Sequence, residues 1–425
     1  MLFRFSLYGF LKNQQYYESF LILAFIQKGM SYTQIGYLIS FREICIYLFE
    51  VPSGAVADVW GRRRSMILSF FAYIVSFVAF GLGREYWQFF PAMFLFAVGE
   101  AFRTGTHKAM IFDWLAQQGR ADEKTKVYGF TRAWSQIGSA VSVVIAAALV
   151  FISQNYVYIF YFSIIPYVLG VINFLGYPKS LDGATDRRIS LREMVRILFG
   201  SIKQVIRKPA LRGLVVETMC SEGAFKALKD YLQPILKQTA LALPMLLALP
   251  NEKRTAVLVG IVFFVLHILS GAASRYSHVV VDKARGEDRA ARWIWLASIV
   301  AYAVLIPVFW GNFMVVAMGV YIVLYMLQNF WRPAQISRFN IHAEAEATAT
   351  VLSIDSQSQT VATMITAPIV GKAVDWCALY WPDGVAKFIP VGIIGLLATL
   401  LGFLANRRCF VRTHEHQSTE ERKEE

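Results

Sequence analysis

The sequence predicts an all-α membrane protein, with twelve transmembrane helices arranged as two pseudo-symmetric six-helix bundles. Three observations predict it. The 425 residues are 56% hydrophobic and 17% charged, against about 25% charged in a soluble chain. The apolar residues gather in runs of about twenty, the length that spans a hydrocarbon core as a helix. The longest polar connection, 179–208, falls midway and leaves six runs on either side.

The first run, 4–27, opens at the N-terminus and contains Lys12, Asn13, Gln14 and Gln15. A cleaved leader needs an unbroken apolar core, so this run reads as a retained helix. As a helix it would carry Asn13, Tyr16 and Tyr17 at i, i+3 and i+4, with Lys12 and Glu18 beside them. The second, 33–57, carries Arg42, Glu43 and Glu50. The third spans 66–83. The fourth, 86–114, carries Glu100, Arg103 and His107 at i, i+3 and i+7, one face of one helix. The fifth, 127–151, has glycines and no proline, and the sixth spans 155–177. In the second half the runs lie near 209–236, 254–275, 292–310, 312–335, 347–374 and 385–406. The seventh run carries Glu217, Glu222 and Lys226, and the eighth carries His267. The tenth carries Tyr321, Tyr325, Gln328, Asn329 and Arg332 along one stripe, and the eleventh carries Asp355, Ser358 and Gln359. The domains are therefore 1–178 and 209–406, joined by a linker at 179–208 and followed by a tail at 407–425. Leu191, Met194, Val195, Leu198 and Phe199 recur in the linker at amphipathic spacing among Arg192, Arg196 and Lys203, which predicts a helix lying on the membrane surface.

The net charge of +13 is a topology signal rather than a nucleic-acid footprint. With the N-terminus placed inside and the sides alternated, the inner connections hold Arg62, Arg63, Arg64, Arg120, Lys124, Lys126 and the basic residues of the linker and tail. The outer ones hold Lys28, Arg84, Lys237, Lys253, Arg254 and Lys387. This bias puts both termini in the cytoplasm of a multi-pass protein of the plasma (inner) membrane. The four cysteines form no CxxC pair, so neither a disulfide framework nor a zinc site is expected. No phosphate-binding GxxxxGK[ST] loop occurs, and no nucleophile, metal or cofactor pattern supports an enzyme. No cofactor is expected. Lipids and a small-molecule solute are the expected partners, and a monomer is the expected state.

Between runs two and three stands GAVADVWGRRR, residues 54–64. Gly54 lets a neighbouring helix approach. Asp58 sits where a helix ends, Gly61 permits a sharp reversal, and Arg62, Arg63 and Arg64 anchor at the interface. The stretch resembles the signature loop of the major facilitator superfamily, GxxxD[RK]xGR[RK][RK], with Val59 where that family usually has a basic residue. The twelve runs, the central linker and the inside termini extend the resemblance over nearly the whole chain. The resemblance implies that the loop holds the two bundles together on the cytoplasmic side. Asp58 would face the start of helix eleven near Thr348–Thr350, and one of the three arginines would pair with Asp113. It also implies that helices one, four, seven and ten line a central cavity.

Charges at mid-membrane depth cost about 2.5–3.5 kcal/mol each on insertion scales, so they face cavities or pair. Asn13, Tyr16, Tyr17, Arg42, Arg103, His107, Gln328, Asn329, Arg332 and Asp355 are the candidate solute contacts. The mixture of cations and acids suits a polar or charged solute. Proton coupling needs a carboxyl that changes protonation, and Glu100, Glu18, Glu43, Glu217 and Glu222 are candidates. Glu100 leads because Arg103 lies one turn away. The reading is a secondary active transporter working by alternating access with proton coupling. The alternative is an exporter of drugs or siderophore-like metabolites, weakened by the missing Gly-Pro motif in run five.

Overall fold

The computed structural model describes residues 1–104, 106–182, 209–244, 247–342 and 348–405. The helix expected in the linker, and the tail, lie outside these residues. Contacts divide the chain into two compact units: Met1–Met194 with Leu236–Ile268, and Val195–Ile235 with Leu269–Glu425. No strand occurs among the described residues. Seven helices among them are long and apolar enough to cross a membrane: Arg62–Leu82, Lys126–Ser153, Tyr158–Leu175, Asn251–Arg275, Glu287–Trp310, Met314–Phe339 and Ala386–Ala405.

Run one is not one helix. α1 (Leu2–Lys12) stops at the polar segment, residues 13–20 form turns, and α2 (Leu21–Gln27) resumes. The expected stripe of Asn13, Tyr16 and Tyr17 on a helix face is therefore corrected: these residues and Glu18 lie in the break. The break is held by side chains. Asn13 Nδ2 donates to the Ser135 carbonyl and to Ser139 Oγ, both at 2.8 Å. Gln14 Nε2 donates to the Gly138 carbonyl at 3.0 Å. Freed backbone is tolerated inside a membrane protein where it is buried against other helices.

α3 (Tyr32–Trp60) starts at a reciprocal cap. Ser31 Oγ accepts from the Gln34 amide at 3.2 Å, and Gln34 Oε1 accepts from the Ser31 amide at 3.0 Å. It ends at Gly61, whose φ of 109° is open to glycine and strained for other residues. α4 (Arg62–Leu82) follows at once. Phe70, Tyr73, Phe77 and Phe80 repeat on one face of it and are buried, packing on Phe96, Tyr167 and Phe160. Small residues let the backbones close in, as Ser69 Oγ donating to the Gly99 carbonyl shows.

Run four is also divided. α5 (Phe89–Arg103) ends where Thr104 turns extended, and α6 (Thr106–Gln117) begins after it. α7 (Lys124–Ser153) and α8 (Tyr158–Leu175) complete runs five and six. α7 packs tightly on α1, and a Cβ on Gly138 would lie 2.6 Å from the Phe10 carbonyl oxygen.

In the second half, run seven is interrupted twice. α9 (Pro209–Thr218) leads into a π-helical turn, Met219–Gly223. A short α10 (Ala224–Leu228), a 3₁₀ turn (Lys229–Tyr231) and α11 (Leu232–Ala242) follow. α12 (Asn251–Arg275) and α13 (Ser277–Ala284) come from run eight and its connection. α14 (Glu287–Trp310), α15 (Met314–His342), α16 (Thr348–Ala378) and α17 (389–405) are runs nine to twelve. The division between the units falls inside α11 and α12. The second unit packs around Trp295 and Trp331, edge to face at 5.5 Å. A Cβ on Gly402 would lie 2.3 Å from the Trp295 ring.

Candidate functional site

In the first unit the broken helices bring charge together. Glu100, three residues from the end of α5, accepts from Arg103 through Oε1 and from the Tyr73 hydroxyl through Oε2. Each carboxylate oxygen thus has a donor, and the acid is matched by a cation from its own helix. The break at Thr104 leaves Glu100 and Arg103 on α5 and puts His107 on α6, so the expected single helix face of the three is corrected. His107 is buried instead among aromatic rings. It stacks on Tyr8 with centroids 3.8 Å apart, meets Phe5 edge to face, and bonds Tyr177 Oη at 3.2 Å.

Beside this cluster lies a cavity of about 230 Å³ between α1, α6 and α7. Lys12, Asn13, His107, Thr131, Arg132 and Gln136 supply its polar wall, with Tyr8 and Tyr128 as aromatic flanks. Among its lining residues there is no carboxylate.

The second unit holds two ion-pair systems. Glu222, on the π-helical turn, pairs with Arg332 of α15. Within electrostatic reach of it, Asp355 of α16 accepts from Thr218 Oγ1 at 2.9 Å and from Gln359 Nε2 at 3.1 Å. Arg338 joins Glu217 and Asp288. Its Nη2 reaches Glu217 Oε1 at 3.1 Å, its Nε reaches Asp288 Oδ1 at 2.8 Å, and its Nη1 reaches Gln335 Oε1 at 2.9 Å. The π-helical turn re-phases α9 against α10, so Glu217 and Glu222 each meet an arginine of α15.

The remaining candidates are scattered. Arg42 and Glu43, neighbours on α3, pair with each other at 2.7 Å. Tyr16 and Tyr17 are core residues, and Tyr17 packs on Phe77 and Phe96. Glu18 is half-buried. Gln328 is half-buried, and Asn329 donates to the Tyr325 carbonyl of its own helix.

At the motif loop, Arg62 pairs with Asp113 of α6. Arg63 is held through its backbone, whose amide donates to Asp182 Oδ1 at 3.0 Å, and Arg64 is exposed. Asp182 also fits against Gly61, where a Cβ would come within 2.9 Å of its Oδ1. It therefore supplies the anion that α4 lacks at its N-terminus. The close approach expected at Gly54 is not seen among the described residues, where nothing lies within 4 Å of a Cβ placed there. The side chains of Asp58 and of Thr348–Thr350 lie outside the described residues.

Sequence reasoning passed over Tyr73, Arg132, Asp182, Asp288 and Arg338. Arg338 left a signal, since Gln335 and Arg338 share a helix face three residues apart at the end of run ten. Tyr73 left none, being one aromatic in an aromatic stripe.

Comparison with known proteins bears on the family and the fold. The family model described as Major Facilitator Superfamily matches residues 13–367. An uncharacterized MFS-type transporter, YxaM of Bacillus subtilis (strain 168), is 23% identical over 225 residues, covering 51% of this chain and 53% of that protein. A probable L-galactonate transporter of Escherichia coli (strain K12) is 29% identical over 124 residues, 29% of this chain and 26% of that one. The chain thus spans about half the length, or less, of these curated relatives. Among solved structures, a point mutant of the nucleoside transporter NupG superposes with a TM-score of 0.77 at 14% identity, covering 96% and 99% of the two chains. A D-xylose–proton symporter superposes at 0.67 with 15% identity, covering 94% and 96%. At such identities the structures speak to fold alone. The long family match, the GxxxD loop with its Arg62–Asp113 pair and the helical architecture converge: the chain belongs to the Major Facilitator Superfamily.

Proposed function

We propose that the protein is a secondary active transporter for a small polar or charged organic solute, coupled to protons and working by alternating access. The observation that carries this reading is the placement of ionisable groups on interrupted helices. Glu100 and Arg103 sit at the α5 break, and Glu222 sits on the π-helical turn facing Arg332. Interrupted membrane helices with polar side chains at the break mark solute and ion sites in transporters. Charge costly to insert is kept where it can meet a solute. The relative named as a probable L-galactonate transporter fits a polar cargo.

In the proposal two bundles, 1–178 and 209–406, alternate access to the solute, with both termini on the cytoplasmic side of the plasma membrane. Glu100 is the coupling carboxyl. Protonated, it releases Arg103 toward the solute; deprotonated, it takes Arg103 and the Tyr73 hydroxyl back. Counterflow into proteoliposomes tests transport itself. Glu100→Gln is expected to abolish uptake driven by a proton gradient while sparing solute exchange, and proton-driven uptake at the parent rate would refute the assignment.

A further inference from the structure

The geometry points to the cavity between α1, α6 and α7 as a subsite for the carboxylate of a hydroxylated organic acid, held between Lys12 and Arg132. This deepens the transport reading by naming the class of solute, and it rests on that reading for the site's purpose but not for its binding chemistry.

The first argument is charge. Lys12 and Arg132 both line the cavity, and neither makes an ion pair among the described residues. Lys12 has the Tyr8 ring, 5.9 Å from its Nζ. The nearby acid is Glu100, whose two oxygens are already occupied by Arg103 and Tyr73. Lys12, Arg103 and Arg132 thus stand against one carboxylate, and Lys12 lies in electrostatic reach of both arginines. Like charges held together in a membrane protein are unfavourable without an anion between them. An anionic ligand removes that repulsion, and a cation adds to it.

The second argument is size. About 230 Å³ falls below the roughly 300–1,000 Å³ of a complete ligand pocket. It holds one end of a solute, a carboxylate with its neighbouring carbon, rather than a whole drug-sized molecule.

The third is the rest of the wall. Thr131 and Ser135 hydroxyls donate to carbonyls one turn earlier in α7, at 2.9 and 3.3 Å, which leaves their lone pairs to accept. Gln136 also faces the space. This wall suits hydroxyl groups next to a carboxylate. The Tyr8 and Tyr128 flanks limit width without adding charge. Arg132 can grip a carboxylate through two nitrogens, which Lys12 as a point charge cannot.

The test uses the full-length protein purified in detergent and melted with glycolate, malate or gluconate. Ethylene glycol, threitol and glucose serve as uncharged counterparts. At least one acid is expected to raise the melting temperature with saturation, and no counterpart to match it. Lys12→Gln and Arg132→Gln should each weaken that acid by about tenfold or more, the effect of about 1.4 kcal/mol. Arg132→Lys should weaken it less than Arg132→Gln. The ligand-free melting temperature of each variant should equal or exceed the parent's, because no ion pair is lost and like-charge repulsion is relieved; this separates a binding defect from misfolding. Stabilisation by none of the acids, or by acids and counterparts alike, overturns the proposal. So does binding unchanged in the Lys12→Gln/Arg132→Gln double variant. Acid binding through these residues without counterflow keeps the subsite and refutes transport. Counterflow of a neutral solute without acid binding keeps transport and refutes the subsite.

Discussion

Replacing Arg338 by methionine should be the most damaging single change in the second unit. The guanidinium uses all three nitrogens on Glu217, Asp288 and Gln335. Arg338 and Glu217 are 3% and 1% exposed, whereas Asp288 is 48% exposed. Removing one member of a buried pair leaves the other charge without a partner, at a cost of about 3–5 kcal/mol. The half-exposed Asp288 pair adds about 0–1 kcal/mol. Arg338→Met should therefore cost about 3–5 kcal/mol. Glu217→Gln should cost less, about 1–3 kcal/mol, because Asp288 and Gln335 still serve the arginine. Arg338→Lys keeps the charge but loses the fork that spans two acids, so it should not restore the parent. The double variant Arg338→Met/Glu217→Met should be more stable than the sum of its singles by about 0.5–3 kcal/mol. Equilibrium unfolding in mixed micelles, followed by tryptophan emission, measures each step. Trp331 lies 5.9 Å from the Arg338 guanidinium and contributes a local signal. If Arg338→Met stays within about 1 kcal/mol of the parent, or the double variant equals the sum, the reasoning about burial is wrong.

Gly61→Ala should lower stability by about 1–3 kcal/mol, since φ of 109° strains any side chain and the new Cβ would press on Asp182; the same unfolding titration reads it. Asp182→Asn should cost about 0.5–2 kcal/mol through the weakened start of α4, with solute affinity unchanged in the melt assay. Arg62→Asp should reduce counterflow while leaving the melt within about 1 kcal/mol, because Asp113 is 44% exposed and an exposed pair contributes little stability; the swap Arg62→Asp/Asp113→Arg should recover flux. Gly138→Leu should prevent α1 and α7 from closing at the Phe10 carbonyl and yield protein that aggregates on size-exclusion chromatography.

The apolar runs were legible because lipid demands one thing of every span, and α4, α7, α8, α12, α14, α15 and α17 follow from it. The breaks were less legible. Periodicity reads 4–27 as a helix because its ends are apolar, and Asn13, Tyr16 and Tyr17 then fall on one face by arithmetic. What decides the matter is tertiary: the carbonyls of Ser135 and Gly138, more than a hundred residues away, give Asn13 and Gln14 partners. With those partners in place, the turns at 13–20 keep the side-chain amides of Asn13 and Gln14 hydrogen-bonded while the helix is interrupted. The same holds at Thr104, which separates Arg103 from His107 although i, i+4 spacing joins them.

For the site, spacing found pairs within a helix and missed pairs between helices. Glu100–Arg103 is an i, i+3 pair and was visible as such. Glu217–Arg338 and Glu222–Arg332 join residues from distant segments, and the π-helical turn that aims both acids at α15 has no signature in a one-dimensional pattern. An arginine's role follows from the acids around it. Where an acid already answers the charge, as at Arg42, Arg103 and Arg338, the arginine's first task is structural or regulatory. Where none does, as at Lys12 and Arg132, the cation faces space that a solute can fill. On that criterion Arg132, a residue the polar stripes did not select, has the stronger claim to touch the solute than Arg42, which they did.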